Sequence, residues 1–512
     1  MRRIFQLSVT VSLLLFAAEQ VVGFSLVGPR PPWQTAALGF APPAPNTFGG
    51  NGGPMNINEE YRWNVPTIHY GFSAEFLSYF GQGGVDSIEE AVSVLNGVQD
   101  VESVDLESVP TESGRMNLRA AALGLTDLKS SALSLMLQAR GLADPTRYAF
   151  VIRNRYLTAN NTVTNYHVVQ RNFDPETLRP SSYINGTLWT YIIQDPVAPS
   201  NYAWANNFPA DPLERLLPRT LPVAGIDLSL LPSGYFFTQL TRDDVGGLKH
   251  IYRSSNYNTE NALADVAGSG GGGAVAGQIG FPGGGDTFDF PSGATGVGGG
   301  TFDFPFNTAT NALAGGAQGV GGVGGVGGVG GVGGAAAGGT FVNPALKAGI
   351  NSVEMVRADY DSLVGVFFNP LTVRFSETVL TNDRPRSQSL TRTVTQPDII
   401  FDARDLQAGD STIPIGTVLA EGGANGWNNS DALDGVTGDD FGPGVIVPPF
   451  RIIFNTVGPI FLNQQSANTF FLTEGSIGTQ SLLTWGSFDG STNDPIVYPV
   501  GTSILDLERQ VR

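Results

Sequence analysis

The sequence predicts an α+β protein in which a long glycine-rich linker joins two folded blocks, and three observations carry that reading. One amphipathic helix, Thr126 to Asp144, lies among segments of period-two alternation. The stretch 263–340 is dominated by glycine, alanine and valine. Beyond it, short strand-like runs recur between turn dipeptides, without helical periodicity. The expected divisions are a signal peptide at 1–23, a Pro/Gly-rich leader at 24–58, a mixed domain at 59–262, the linker at 263–340 and an all-β, sandwich-like domain at 341–512.

Overall composition narrows the function. A chain of 512 residues suggests roughly three domains and a sizeable core. The formal net charge of -18 argues against nucleic acid and anionic membrane as partners. It suits divalent cations or a cationic partner, and also simple solubility. With no cysteine, disulfides, thiolate metal sites and a cysteine nucleophile are excluded. Arg2-Arg3, the apolar run Ile4 to Ala18, and Val21 and Gly23 at the -3 and -1 positions read as a secretory signal cleaved after Gly23. An exported protein without disulfides points to a bacterial envelope or exterior. No further stretch reaches 18 apolar residues, so no membrane span is expected after cleavage.

Taken in order, Phe24 to Asn58 is Pro- and Gly-punctuated and reads as an extended leader. Ile68, Tyr70 and Phe72 alternate with Thr67, His69 and Gly71 as a strand. Gly83-Gly84 breaks the chain, and Val85, Ile88, Val92 and Leu95 mark the face of a following helix, with Asp86, Glu89 and Glu90 near its positive end. Thr126 reads as the cap of the next helix, and Gly141 as the left-handed residue that ends it. Tyr148 to Tyr156, Thr164 to Asn172 and Ser182 to Gln194 are β-rich in composition. Tyr235-Phe236-Phe237 is a short strand. Thr241-Arg242-Asp243-Asp244 opens a last helix with a capping-box pattern. The linker repeats T-F-D-F-P at 287–291 and 301–305, either as sticky segments or as duplication drift.

Three pieces of the first block, in order, resemble a matrixin, within the metzincin zinc proteases. They are Y-R-W-N-V-P-T-I-H-Y-G-F with its helix, T-D-L-K-S-S-A-L-S-L-M-L-Q-A-R-G-L-A-D, and L-T-R-D-D-V-G-G-L-K-H-I-Y. The resemblance covers roughly 200 residues and implies a metzincin-like fold over about 59–262, with the strands of 148–194 as an insertion. It places Ser134 where the family has its first zinc-binding histidine, Leu135 at the glutamate, Gln138 at the second histidine and Asp144 at the third ligand. Residues i and i+4 share a helix face, so two imidazoles there converge on one ion, and the glutamate acts as general base on metal-bound water. A hydroxyl, an isobutyl group and a neutral amide do none of this. The expectation is a pseudoenzyme without a catalytic residue or bound cofactor.

Nothing else in the sequence restores catalysis. His69, His167 and His250 are far apart and lack partners at ligand spacing, and no phosphate-binding or nucleophile-elbow motif is present. Asp431, Asp434, Asp439 and Asp440, on a glycine-bearing loop, are the Ca²⁺ candidates, with a plain polar loop as the alternative. Asn160, Asn185 and Asn428 stand in glycosylation sequons. The expected function is a secreted, non-catalytic surface or matrix protein acting by binding to protein or cell-surface partners, or by assembly. The alternatives are a metalloprotease using Asp144 and a displaced histidine, and a glycan-binding adhesin presenting Trp427 and Trp485.

Overall fold

Alternation in T-I-H-Y-G-F sets the strand about which the chain is built. A computed structural model describes residues 22–28, 53–98, 100–157, 164–195, 203–216, 218–224, 231–268, 341–358, 368–403, 417–420, 443–454, 469–470 and 484–511. In it β4 (Thr67–Phe72) lies inside a four-stranded parallel sheet of order β17 (Glu354–Arg357), β4, β20 (Ile399–Ala403), β23 (Phe450–Phe454). Met355 pairs with Ile68, Ile399 with Tyr70 and Phe401 with Ile452. Parallel strands covered on both faces read as apolar runs rather than alternations, as I-I-F and F-R-I-I-F do.

Three of those four strands lie beyond the linker, which corrects the expected separate β-sandwich at 341–512. The second block instead completes the sheets of the first. β24 (Thr469–Phe470), β21 (Thr417–Ala420) and β22 (Gly444–Val447) end on β3 (Tyr61–Arg62), which pairs in parallel with β22. β26 (Ile496–Val497) and β25 (Thr484–Ser487) end on β6 (Leu125–Asp127). A five-stranded sheet runs β14 (Tyr257–Glu260), β16 (Ala345–Ala348), β18 (Leu371–Thr381), β19 (Arg384–Val394), β15 (Val266–Gly268). Its long hairpin turns at Asn382-Asp383, both at positive φ, as a primed two-residue turn requires. Met1–Ala276 and Thr340–Arg512 thus belong to one compact unit; the other, Gly277–Gly339, lies outside the described residues.

The two described ends of the leader, residues 24–28 and 53–58, are corrected as well. β1 (Ser25–Gly28) is antiparallel to both β2 (Gly53–Pro54) and β7 (Leu142–Ala143). Phe24, Leu26 and Val27 are buried in the main core, so F-S-L-V is a core strand whose apolar content outweighs its Pro/Gly flanks.

Helix α1 (Ala74–Asn96) starts earlier than the expected break at Gly83-Gly84. Ser73 caps it by accepting from the Phe76 amide, and the real interruption is Gly81, at φ +56°. Starting at Ala74 puts Phe76 and Phe80 on the buried face. Phe80 stacks edge-on against Phe454 at 5.9 Å, Tyr498 at 4.9 Å and Trp485 at 6.5 Å between centroids, and Phe76 lies 6.4 Å from Phe401. Aromatic burial on this scale binds the two sequence blocks into one core.

The expected strands of 148–194 form: β8 (Val151–Leu157) with β9 (Thr164–Val169), and β10 (Tyr183–Ile184) with β11 (Thr187–Gln194), to which β12 (Trp204–Pro209), a strand the sequence did not suggest, adds as the third of a second sheet. β5 (Gly114–Met116) pairs with β13 (Tyr235–Phe237). The remaining helices are α2 (Leu118–Ala122), α3 (Leu128–Gln138), α4 (Pro145–Tyr148), α5 (Pro212–Leu216), α6 (Arg242–Tyr252) and α7 (Ile504–Val511). α7 corrects the expectation of a helix-free second block; eight residues are too short to impose a periodicity that stands out beside strands. Among the described residues no helix is long and apolar enough to cross a membrane.

Candidate functional site

The helix that resembles the zinc-binding stretch is α3, and the structure makes it core. Its cap is Asp127 rather than Thr126: Asp127 Oδ2 accepts from the Ser130 amide at 2.9 Å and the Ser130 hydroxyl at 2.5 Å. Ser130 Oγ in turn accepts from the Phe237 amide of β13 at 2.8 Å, which backs the helix with the Tyr235–Phe237 strand. At the other end the carbonyls of Ala139 and Arg140, at and just past the cap, accept from Trp63 Nε1 at 2.7 Å and the Tyr252 hydroxyl at 3.0 Å, while the Leu137 and Gln138 carbonyls accept from the amides of Arg140 and Gly141.

Ser134, Leu135 and Gln138 are all fully buried at 0% exposure. Every residue of the helix from Ser130 to Gln138 is buried, so only its first turn, at Lys129, reaches an opening. The Ser134 hydroxyl has no hydrogen-bond partner. Asp144, 7% exposed, caps α4: its Oδ1 accepts from the Thr146 amide at 2.8 Å and hydroxyl at 2.7 Å.

The histidines stand in three environments. His69, on β4, has Nδ1 3.6 Å from Asp398, which is also held by Arg392. His250, on α6, faces Glu60 at 3.4 Å and packs its ring 5.2 Å from Phe24. His167 lies half-buried on β9. Among the described residues no three histidine or carboxylate side chains group to hold a metal ion. Asp431, Asp434, Asp439, Asp440 and Trp427 lie outside the described residues. Trp485 is 0% exposed, in the aromatic core and not on a glycan contact surface. Asn185 is 2% exposed and its amide donates to the Thr220 carbonyl at 3.0 Å, so that sequon is closed in the folded chain.

The capping reading of Asp243-Asp244 holds for one residue of the two. Asp244 reaches back to the Thr241 amide at 2.8 Å. Asp243 instead accepts from the Asn185 amide at 2.7 Å and, in the uncleaved chain, from the Gly23 amide at 2.9 Å, a bond that cleavage after Gly23 removes. Burial pushes the carboxyls of both above the usual range.

What sequence reasoning missed is a polar cavity at the start of α3. β25 runs parallel to β6, with Gly486 opposite Asp127, and this register delivers the Phe488–Ile496 segment to the cap of α3 and to one side of α1. The cavity, about 280 Å³, is lined by Asp86, Glu90, Asp127, Asp489 and Asp494, with Lys129 as its one cation. Lys129 lies 3.3 Å from Glu90, and Arg119 pairs with Asp494. Asp127 is 2% exposed, and its Oδ1 has no hydrogen-bond partner. Burial pushes its carboxyl up to about 6 despite the Ser130 bonds. No local signal joins residues 127 and 489; only the strand pairing does.

The sign of that shift gives a pH dependence. With the folded-state pKa raised from 3.8 to about 6, stability is lent at low pH and lost as pH rises through 6. The difference between Asp127→Asn, whose amide keeps the cap, and the parent chain is expected to move in the variant's favour by about 2 kcal/mol from pH 4 to pH 7.5. Urea denaturation at the two pH values checks it; a pH-independent difference removes Asp127 as the titrating group.

The described residues therefore define a mixed α+β protein with a sealed central helix and an acidic cavity at its start. The chain matches no family model, no curated protein and no solved structure.

Proposed function

We propose that this chain is a secreted, non-catalytic surface or matrix protein that acts by binding or assembly, on a scaffold resembling a matrixin stripped of its metal chemistry. The observation that carries the reading is the sealing of Ser134, Leu135 and Gln138 at 0% exposure. A metalloprotease needs its general base and metal at a cleft, within reach of a substrate carbonyl. Here those positions hold groups that pack, with no opening above them. The second block's contribution of strands to the same sheets fits a single compact unit that presents surfaces to partners.

The test is metal content of the purified full chain by mass spectrometry, with casein cleavage assayed on the same sample. The expected result is zinc well below one per chain and no cleavage. Stoichiometric zinc with chelator-sensitive cleavage overturns the proposal and directs attention to Asp144 and the three histidines.

A further inference from the structure

We propose that the cavity between α1, the start of α3 and the segment after β25 is a binding site for an organic cation carrying two or more ammonium groups. Five carboxylates and one lysine line it, so its formal charge is strongly negative even after Arg119 is set against Asp494. Asp127 supplies the second and independent observation. Its side chain is nearly inaccessible, its Oδ2 is committed to Ser130, and its Oδ1 is buried without a hydrogen-bond partner. The Phe488 amide pulls on this carboxylate but completes no hydrogen bond to Oδ1. A buried carboxylate oxygen left this way calls for a donor, and the cavity it lines is the place from which a donor can come.

The shape of the cluster selects among cations. No three of its carboxylates group tightly enough to hold one metal ion, whereas a divalent ion needs several oxygens at short range. Charges spread along a cavity of about 280 Å³ instead match N–H donors spaced along an aliphatic chain. The Ser87 and Ser487 hydroxyls, 2.6 Å apart, offer further oxygens at its wall. Two sources share this chemistry, a free polyamine and a lysine-rich peptide segment. The inference does not rest on the loss of protease chemistry, and zinc-dependent cleavage would leave it standing.

The experiment is titration calorimetry of the full chain with spermidine at pH 7.5 and low salt. It is repeated with a Lys-Gly-Lys peptide, with Ca²⁺, and with Asp127→Asn, Glu90→Gln and the remote, exposed Glu354→Gln. Saturable one-to-one binding of spermidine or of the peptide is expected, the tighter of the two naming the source. Asp127→Asn should weaken it by about tenfold or more, as loss of one partner of a desolvated charge pair does. Glu90→Gln should weaken it by a smaller factor, and Glu354→Gln should leave it unchanged. Glu90 is two-thirds exposed, so its variant keeps the test valid if the Asp127 variant fails to fold. Absent saturation, equal weakening in all three variants, or tighter one-to-one binding of Ca²⁺ overturns the proposal.

Discussion

Replacing Arg62 by alanine is expected to remove about 3–5 kcal/mol of stability, the range for taking one partner from a buried ion pair. Arg62 is 1% exposed and every part of its guanidinium is engaged. Nε meets Glu260 Oε1 at 2.6 Å; one terminal nitrogen donates to the carbonyls of Ile251 at 3.1 Å and Asn256 at 3.0 Å; the other donates to the Lys347 carbonyl at 3.0 Å. The side chain therefore clamps β3, the end of α6, β14 and β16 at one point. Truncation leaves three carbonyls short of a donor and Glu260 as a buried carboxylate. Burial already raises the Glu260 pKa against the opposing pull of Arg62 and Lys347. Lysine at 62 cannot reproduce a planar fork serving four acceptors, and should recover little. Against a typical total of 5–15 kcal/mol, the loss is large enough to read in urea denaturation. Adding Glu260→Gln to Arg62→Ala should restore part of it, because the stranded charge is then gone. A loss under 1 kcal/mol would mean that water reaches Glu260.

Gly141→Ala is expected to be at least as damaging, and for a backbone reason. Gly141 sits at φ +101°, and a Cβ built there lies 2.1 Å from the Tyr61 carbonyl oxygen. The conformation alone disfavours an L side chain, and the clash is with main chain of β3 rather than with a yielding side chain. β3 must move, and with it Trp63, whose indole donates to the Ala139 carbonyl at the cap of α3, and the Arg62 clamp. The expected outcome is a loss of about 3 kcal/mol or more, the scale of severe steric lesions, or no folded chain at 37 °C. Circular dichroism melts of Gly141→Ala beside Gly124→Ala separate the two causes. Gly124 also has positive φ, at +70°, but open space around its Cβ, so it reports strain alone. Equal losses in the two variants would assign the whole effect to strain.

These two residues show where sequence reading reached and where it stopped. That a left-handed glycine ends the central helix was legible, because a helix C-terminus followed by Gly is a local signal. The nearness of the Tyr61 carbonyl was not. Arg62 stood only in the Y-R-W-N run before the first strand, with no sign of its role, since its partners stand at 251, 256, 260 and 347. The strand candidates of the second block were similarly legible one by one: the Asn382-Asp383 turn and the apolar runs at 399–401 and 450–454 declare themselves through local stereochemistry. Their partners did not. A strand's periodicity fixes which face is buried and leaves open which edge will accept its N–H and C=O groups, so the same residues fit a separate sandwich or a sheet shared with β4. The linker hides the choice further by placing the two blocks far apart in number.

The sequence by itself determined the α+β class, the strand β4, a helix within 126–144 with no imidazole or carboxylate at Ser134, Leu135 and Gln138, the capping box of α6 and the excess of negative charge; the structure shortened that helix to 128–138. Only the tertiary structure decided that Phe24 to Val27 is core, that the two blocks share their sheets, and that Trp485 is sealed. It alone placed the 488–496 segment over Asp127. The physical reason is that helices, caps and turns are satisfied by neighbours within a few residues. Sheet edges, buried charges and cavities take their partners from wherever the fold delivers them, here across more than three hundred residues between Asp127 and Asp489.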